Sequence, residues 1–395
     1  MSAWEKNALS FCAWIWCPRF GYERKTEKRN VVDLKRFEMA LVAAFLVGEI
    51  AMGDTAALHE AKRAKKDEFY TQRVDIENEM KHYKQHFVGK VVLCNCDDPR
   101  QSEFFRYFSE NFEKLKLKRL IATCYKSQDV DLFSQKDCER AIKQIYEGDR
   151  NGNMVVDDDE VGVFELKGDG DFRSEECIEL LKQADIVVTN PPFSLFREYV
   201  AQLVKYDKKF IIIGNVNSLI CREIFPLVIS GKLWLGVSIH SGDRKFGVPK
   251  DYPLNATGCG IDENGQRFIR VKGVRWFTNL DYPQRHERLP LYKKYTPQEF
   301  PKYDNYNAIE VSKTADIPED YEGIMGVPVT FMDKYNPEQF EVIWQASGNT
   351  RACAPKAVLD ELGYQCHSED RGGCGILHGK RVYTRILIRK RRKTK

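Results

Sequence analysis

The tetrapeptide Asn190-Pro191-Pro192-Phe193 directly follows the apolar run Asp185-Ile-Val-Val-Thr189. A β-branched run of this kind asks for a strand. Two successive prolines forbid its continuation, because neither can donate to a ladder and each fixes φ. The strand must therefore stop at Asn190. What remains at its end is an amide side chain, consecutive carbonyls and an aromatic ring. In open α/β sheets the carboxyl ends of the strands are where ligands bind.

From Val91 onward, short apolar runs alternate with helical patterns, the signature of a parallel sheet covered by helices. The runs predict strands at 91–94, 120–124, 161–166, 186–189, 210–214, 233–238 and 274–279. No full helix separates the last two, so the expectation is an α/β fold with a seven-stranded, Rossmann-like sheet ending in an antiparallel pair. Between those two strands an insertion carries the hairpin signal Asn264-Gly265. After Tyr282-Pro283 the pattern loosens into stretches such as Pro301-Lys-Tyr-Asp-Asn-Tyr306. This places a boundary between a first domain, 52–282, and a C-terminal region, 283–395.

Residues 1–51 stand apart. The apolar run Met39-Ala-Leu-Val-Ala-Ala-Phe-Leu-Val47 is too short to span a bilayer. It also lies too far inside the chain, after the charged stretch Glu23–Arg36, to be a usual signal peptide. Met52-Gly-Asp-Thr then opens a polar stretch that resembles a natural N-terminus. An upstream extension outside the fold and a helical appendage on the body both satisfy these residues.

Hydrophobic residues at 43% and charged residues at 30% describe an ordinary globular chain with no membrane segment. Twelve cysteines without a CxxC pair point to reduced thiols and a cytoplasmic protein. Cys366, His367, Cys374 and His378 match no usual zinc spacing, and no metal is expected. The net charge is +4, and the terminal run Arg389-Lys-Arg-Arg-Lys-Thr-Lys395 supplies six bases. Such a tail can grip phosphates, although basic runs are commonly just solvated.

Three further segments carry chemistry. Gly168-Asp169-Gly170-Asp171-Phe172 follows the third predicted strand; Asp171 can accept from an adenine amino group, and Phe172 can cover the ring. Asn95-Cys96-Asp97-Asp98-Pro99 ends the first strand. There Asp98 and Pro99 read as N-cap and first residue of a helix over 100–112, leaving Asp97 to meet a ligand's ammonium in the crevice. In Phe69-Tyr70-Thr71-Gln72, Thr71 reads equally as a helix cap or, with Tyr70, as lining for a cofactor pocket. Trp276-Phe277 reads as sheet core before it reads as support for a substrate ring.

These motifs, in the order Phe69-Tyr-Thr-Gln, Asp97-Asp-Pro, Gly168-Asp-Gly-Asp-Phe and Asn190-Pro-Pro-Phe, resemble the gamma-class N6-adenine DNA methyltransferases, and within them the EcoRI type. The matching stretches run from about Met52 to the C-terminus and do not include residues 1–51. The resemblance implies S-adenosylmethionine as methyl donor, with its adenine at Asp171 and Phe172. It implies double-stranded DNA as partner, a monomer with no obligate protein partner, and a target adenine flipped from the duplex, with GAATTC as the leading site. Methylation there would protect DNA from a cognate restriction endonuclease, while the sequence leaves open whether one accompanies this enzyme or the enzyme is solitary. Two departures from the wider pattern stand out. No glycine-rich turn follows the first strand, and no acid follows the second in Ala122-Thr-Cys-Tyr125.

The chemistry suits the residues. An adenine amino nitrogen is a poor nucleophile because its lone pair is delocalised. The Asn190 side-chain oxygen and Pro191 carbonyl can accept from its hydrogens, Pro192 holds the turn, and Phe193 can stack on the flipped base. Asn-Pro-Pro-Phe also fits methylation of RNA bases or of protein glutamine. A non-catalytic DNA-binding module is the remaining alternative.

Overall fold

A computed structural model describes residues 69–125, 141–248 and 258–392, which belong to one compact unit spanning Gly53–Lys395. The expectations for residues 1–51, and for the last three residues of the basic tail, lie outside the described residues. Twelve strands come first in chain order: β1 Tyr70–Thr71, β2 Val91–Asn95, β3 Arg119–Thr123, β4 Ile142–Tyr146, β5 Val161–Glu165, β6 Ile186–Thr189, β7 Lys209–Asn215, β8 Trp234–Leu235, β9 Asp243–Gly247, β10 Cys259–Ile261, β11 Arg267–Lys272 and β12 Val274–Thr278. The helices among them are α1 Arg73–Met80, α2 Glu103–Glu110, α3 Phe112–Leu115, α4 Glu175–Gln183, α5 Phe196–Lys205 and α6 Phe225–Ile229.

The main sheet has eight strands in the order β5-β4-β3-β2-β6-β7-β12-β8, which corrects the expected seven. Only β3-β2-β6-β7 are mutually parallel; β4, β5 and β12 run against their neighbours. The unexpected strand is β4. Its Lys143 and Gln144 interrupt the apolar run, so the segment gave no strand signal. It turns the expected third parallel strand, β5, into the outer half of an antiparallel hairpin. An edge position explains why β5 leaves Val163 and Phe164 exposed. The expected strand at 233–238 shrinks to Trp234–Leu235, because the Val237 and Ser238 N–H groups donate instead to the buried Glu79 carboxylate at 2.8 and 2.7 Å.

Central strands are mostly apolar because helices cover both faces. Helix α2 buries Phe104, Phe105, Tyr107 and Phe108, and Phe104 meets Trp276 edge-on at 6.1 Å. Trp276 and Phe277 are 1% and 0% exposed, so both are sheet core. Each fully buried ring of this kind contributes about 2–3 kcal/mol. One expected cap is corrected, and of the two readings open for Thr71 the cap is not formed. Helix α2 starts at Ser102, whose Oγ accepts from Phe104 N–H at 3.2 Å. Asp98 instead closes a turn, accepting from Arg100 N–H at 3.0 Å. Thr71 lies in β1, and Gln72 occupies the cap position of α1 without a side-chain bond.

The insertion between β8 and β12 is a second sheet, β1-β9-β11-β10, in which the segment leading into the domain supplies the first strand. The expected hairpin is there, with Gly260 opposite Phe268. Past Tyr282 the chain builds a third sheet, β13-β14-β18-β15, from β13 Ala308–Glu310, β14 Ile324–Pro328, β15 Phe340–Ala346 and β18 Arg385–Lys390. A hairpin of β16 Ile376–Leu377 and β17 Lys380–Arg381 precedes β18. The helix α7 Thr350–Cys353 follows β15. Buried contacts join this region to the main sheet. Arg275 pairs with Asp333 at 2.7 Å, with both side chains about 5% exposed, and Phe225 packs edge-on against Trp344 at 5.6 Å.

Candidate active site

Strand β6 delivers Asn190 to the carboxyl edge of the sheet beside the end of β2, with Leu93 opposite Val187. The two strand ends are tied by a buried network. Thr189 Oγ1 donates to the Asn95 carbonyl, and the Tyr199 hydroxyl, from α5, donates to Asn95 Oδ1. Burial pushes the Tyr199 phenol well above its ordinary value, so it remains a donor.

Asn190 is 5% exposed, and its Nδ2 donates to the Phe69 carbonyl at 2.7 Å. A carbonyl can only accept, so the amide nitrogen has to face Phe69 and Oδ1 is turned away from it as an acceptor. In the motif's turn, Leu195 N–H closes on the Pro192 carbonyl at 3.0 Å. The Pro191 carbonyl receives no backbone N–H among the described residues. Phe193 is half-buried and belongs to an aromatic trio. Its ring is 5.8 Å from Phe69 and 6.3 Å from Phe246, and those two are 5.9 Å apart. Phe246 is held there by pairing of β9 with β1, where it lies opposite Thr71.

The expected cofactor residues divide into groups. Thr71 is 2% exposed, and its Oγ1 has no hydrogen-bond partner among the described residues. A buried hydroxyl in that state is a loss the fold accepts where a ligand supplies the partner. Tyr70 alternates to the opposite sheet face from Phe69 and Thr71. Asp97 is buried at the end of β2 and accepts from Ser102 Oγ at 3.3 Å. Between Asn95 and Asp97, Cys96 has φ of 90°. The chain thus keeps the backbone conformation a glycine favours while carrying a side chain there.

The loop after β5 crosses back over the end of β3. A Cβ on Gly170, which has φ of 79°, would meet the Cys124 carbonyl oxygen at 2.0 Å, so only glycine lets the loop lie this close. Beyond it, Phe172 is buried, edge-on to Tyr199 at 5.0 Å, and Gln202 Nε2 donates to its carbonyl at 2.8 Å. The Asp171 carboxylate accepts from Arg173 Nη2 at 2.7 Å and Nε at 2.9 Å, and Arg173 Nη1 reaches Glu198 at 3.0 Å. Tyr199 therefore stands between the loop of Asp171 and Phe172 and the end of β2, and it links the two sequence-predicted regions. Among the described residues no group of three or more His, Cys, Asp or Glu side chains is placed to hold a metal; Cys366 instead accepts from Arg351 Nη1 at 2.9 Å.

Sequence reasoning missed Phe69, Phe246, Asn95 and Tyr199 as parts of this site. Phe246 has no periodic signal in its insertion, and the role of Phe69 lies in its carbonyl, which every residue possesses. The Asn95-Cys96 turn did carry a signal, since a non-glycine residue stands where a tight turn must form.

The family model described as "Adenine-specific methyltransferase EcoRI" matches residues 57–391. The type II methyltransferase M.EcoRI of Escherichia coli is 50% identical over 337 residues, covering 85% of this chain and 96% of that relative. M.MgeORF184P of Mycoplasma genitalium is 38% identical over 337 residues, covering 84% and 98%, and M.MpnI of Mycoplasma pneumoniae is 37% identical over 338. No solved structure gives a significant match. A strand cut off at Asn-Pro-Pro, an amide aimed by a buried carbonyl and a match along nearly the whole described chain agree: the chain belongs to the EcoRI family of adenine-specific DNA methyltransferases, the modification enzymes of type II restriction systems.

Proposed function

We propose that this enzyme methylates N6 of a flipped adenine in duplex DNA, within GAATTC, using S-adenosylmethionine, and that it acts as a monomer. The methylation would protect that site from a cognate endonuclease. The observation that carries the reading is the clamped amide of Asn190. With Nδ2 held by Phe69, Oδ1 can accept from the adenine amino group, and the Pro191 carbonyl provides a second acceptor. Two acceptors aimed at the two amino hydrogens draw the nitrogen toward pyramidal geometry and stabilise the positive charge that develops on it. Pro192 keeps the turn rigid and adds no N–H. Phe193, supported by Phe69 and Phe246, offers a face on which the extruded base stacks; stacking of this sort is worth about 1–3 kcal/mol. That offsets an extrusion cost of roughly a few kcal/mol.

The residues fit S-adenosylmethionine. Thr71 Oγ1 is buried and lacks a partner, Asp97 is suited to an ammonium, and Gly170 lets the loop of Asp171 and Phe172 approach the sheet. When bound, the cofactor supplies an electrophilic methyl on a sulfonium, a leaving group good enough that no covalent nucleophile is needed. Asp171 keeps acceptor capacity beside its Arg173 contacts for an adenine amino group, and Phe172 lines the same loop. Tyr70 is proposed as a cofactor contact too, although its side chain lies on the face of β1 opposite Thr71.

The region beyond Tyr282 is proposed as the target-recognition region and 52–282 as the catalytic domain. Residues 1–51 are proposed as an extension, a reading supported by a family match that starts at residue 57. The test uses methyl-labelled cofactor with a GAATTC duplex, the same duplex with its inner adenines premethylated, a structured RNA and a glutamine-containing protein. Label in the first substrate alone is expected. Label in RNA or protein at a comparable rate overturns the reading.

A further inference from the structure

We propose that two interlocked turns at the end of β15, residues 347–350 and 370–373, form a base-reading element, with Arg371 reading a guanine edge and Asn349 an adenine edge. This rests on the target-recognition reading above and adds the residues that make the contacts.

The turns are built to be rigid. Thr350 is 0% exposed; its Oγ1 donates to the Gln345 carbonyl at 2.6 Å and accepts from Ser347 N–H at 2.9 Å. The buried Asp370 carboxylate accepts from the Gly373 and Cys374 N–H groups and from the Tyr364 hydroxyl, so its charge is spent inside the loop. Arg351 N–H donates to the Gly372 carbonyl at 2.8 Å, which locks one turn to the other. A Cβ at Gly372 would meet the Gly348 carbonyl oxygen at 2.0 Å, so the turns touch backbone to backbone.

On this scaffold Asn349 and Arg371 are exposed, and neither side chain has a partner among the described residues. A rigid mount with uncommitted donors is wasteful for stability and suited to reading. An arginine fork matches guanine O6 and N7, and an asparagine amide matches adenine N6 and N7; GAATTC presents both bases.

The position also fits. Gln345, at the foot of the first turn, donates to the Ile220 carbonyl at 3.2 Å. Ile220 closes the 3-10 turn that follows β7, the parallel neighbour of β6. Glu223, three residues on, pairs at 3.4 Å with Arg197, only a few residues beyond Phe193. The element therefore stands on the same sheet edge as the catalytic motif, one packed segment away. Lys380, Arg381 and an 89% exposed Tyr383 lie on and just after the neighbouring hairpin, adding positive charge where a phosphate backbone would pass.

The experiment compares wild type, Arg371→Lys, Arg371→Ala and Asn349→Ala on a GAATTC duplex and on duplexes with each base pair changed singly. Wild type should favour GAATTC at the outer G·C pair by about 5- to 150-fold, the range for one bidentate contact. In Arg371→Ala that preference should collapse while preferences at other positions persist, and Arg371→Lys, which still donates to guanine O6 and N7, should keep part of it; Asn349→Ala should relax one A·T position. Cofactor affinity, measured in parallel, should not move. A G·C preference kept in Arg371→Ala overturns the proposal. So does a uniform loss across all sequences in Arg371→Ala with a salt slope shallower by about 0.9, because that marks a phosphate contact. If wild type itself shows no preference among the duplexes, the target-recognition reading fails first.

Discussion

Replacing Asn190 tests the clamped-amide argument most directly. Alanine removes two things. The Phe69 carbonyl, in a site only about 5% exposed at Asn190, loses the Nδ2 donor at 2.7 Å; a lost buried hydrogen bond costs about 0.5–1.5 kcal/mol of stability. A domain stable by roughly 5–15 kcal/mol survives that. The larger loss is the Oδ1 acceptor at the reacting nitrogen. Removal of one preorganised group of this kind costs about 2.7–4 kcal/mol, or about a 100- to 1000-fold drop in the chemical step. Thr71, Asp97 and the Asp171 loop remain, so cofactor affinity should hold within about 3-fold, less than 1 kcal/mol. Asn190→Asp separates aiming from accepting. Its carboxylate can accept but cannot donate to Phe69, so two acceptors oppose each other. Only the protonated acid can donate to that carbonyl, and burial raises its pKa. Residual activity of the aspartate variant should therefore fall as pH rises through that raised value. The assay is a single-turnover methylation rate with saturating enzyme, alongside calorimetric cofactor binding. An alanine rate within tenfold of wild type, or an aspartate variant indifferent to pH, would refute the reasoning.

Three further outcomes are expected. Thr71→Val keeps the shape and deletes an unpartnered hydroxyl, so thermal stability should hold or rise slightly while cofactor affinity falls; Thr71→Ser should restore it, and unchanged calorimetric affinity in the valine variant removes Thr71 from the cofactor site. Gly170→Ala sets a Cβ against the Cys124 carbonyl at φ of 79°, so the loop must move; loss of cofactor binding with a cost above about 2 kcal/mol in urea unfolding is expected, and native behaviour would show the close approach to be unimportant. Asp333→Ala strands the buried Arg275 guanidinium and should cost about 3–5 kcal/mol, whereas replacing both partners with apolar residues should cost far less; equal losses in the two variants would contradict the burial argument.

The catalytic strand was legible because its information is local. β-Branched residues followed by two prolines dictate both the strand and its end, and β6 spans Ile186–Thr189 as the sequence implies. β2, β3, β7 and β12 were legible for a related reason, since strands buried on both faces carry mostly apolar runs. β4 was not, because an edge-ward strand needs only a few buried positions, and Lys143 and Gln144 hid them. The cap went astray at Asp98, and stayed undecided at Thr71, because cap-competent residues also make turns and strands, and only neighbours decide which.

By itself the amino-acid sequence determined where the sheet's reactive edge must lie, which residues could accept from an amine, and the family to which the motifs belong. It could not determine how the Asn190 amide is aimed. That depends on a backbone carbonyl 121 residues away, which carries no side-chain signature. It could not place Phe246 behind Phe193, since the pairing of β9 with β1 joins segments far apart in the chain. Nor could it show that Cys96 occupies a backbone conformation normally left to glycine. Chemistry of this kind is set by residue type, which sequence records; direction is set by long-range packing, which only the folded chain supplies.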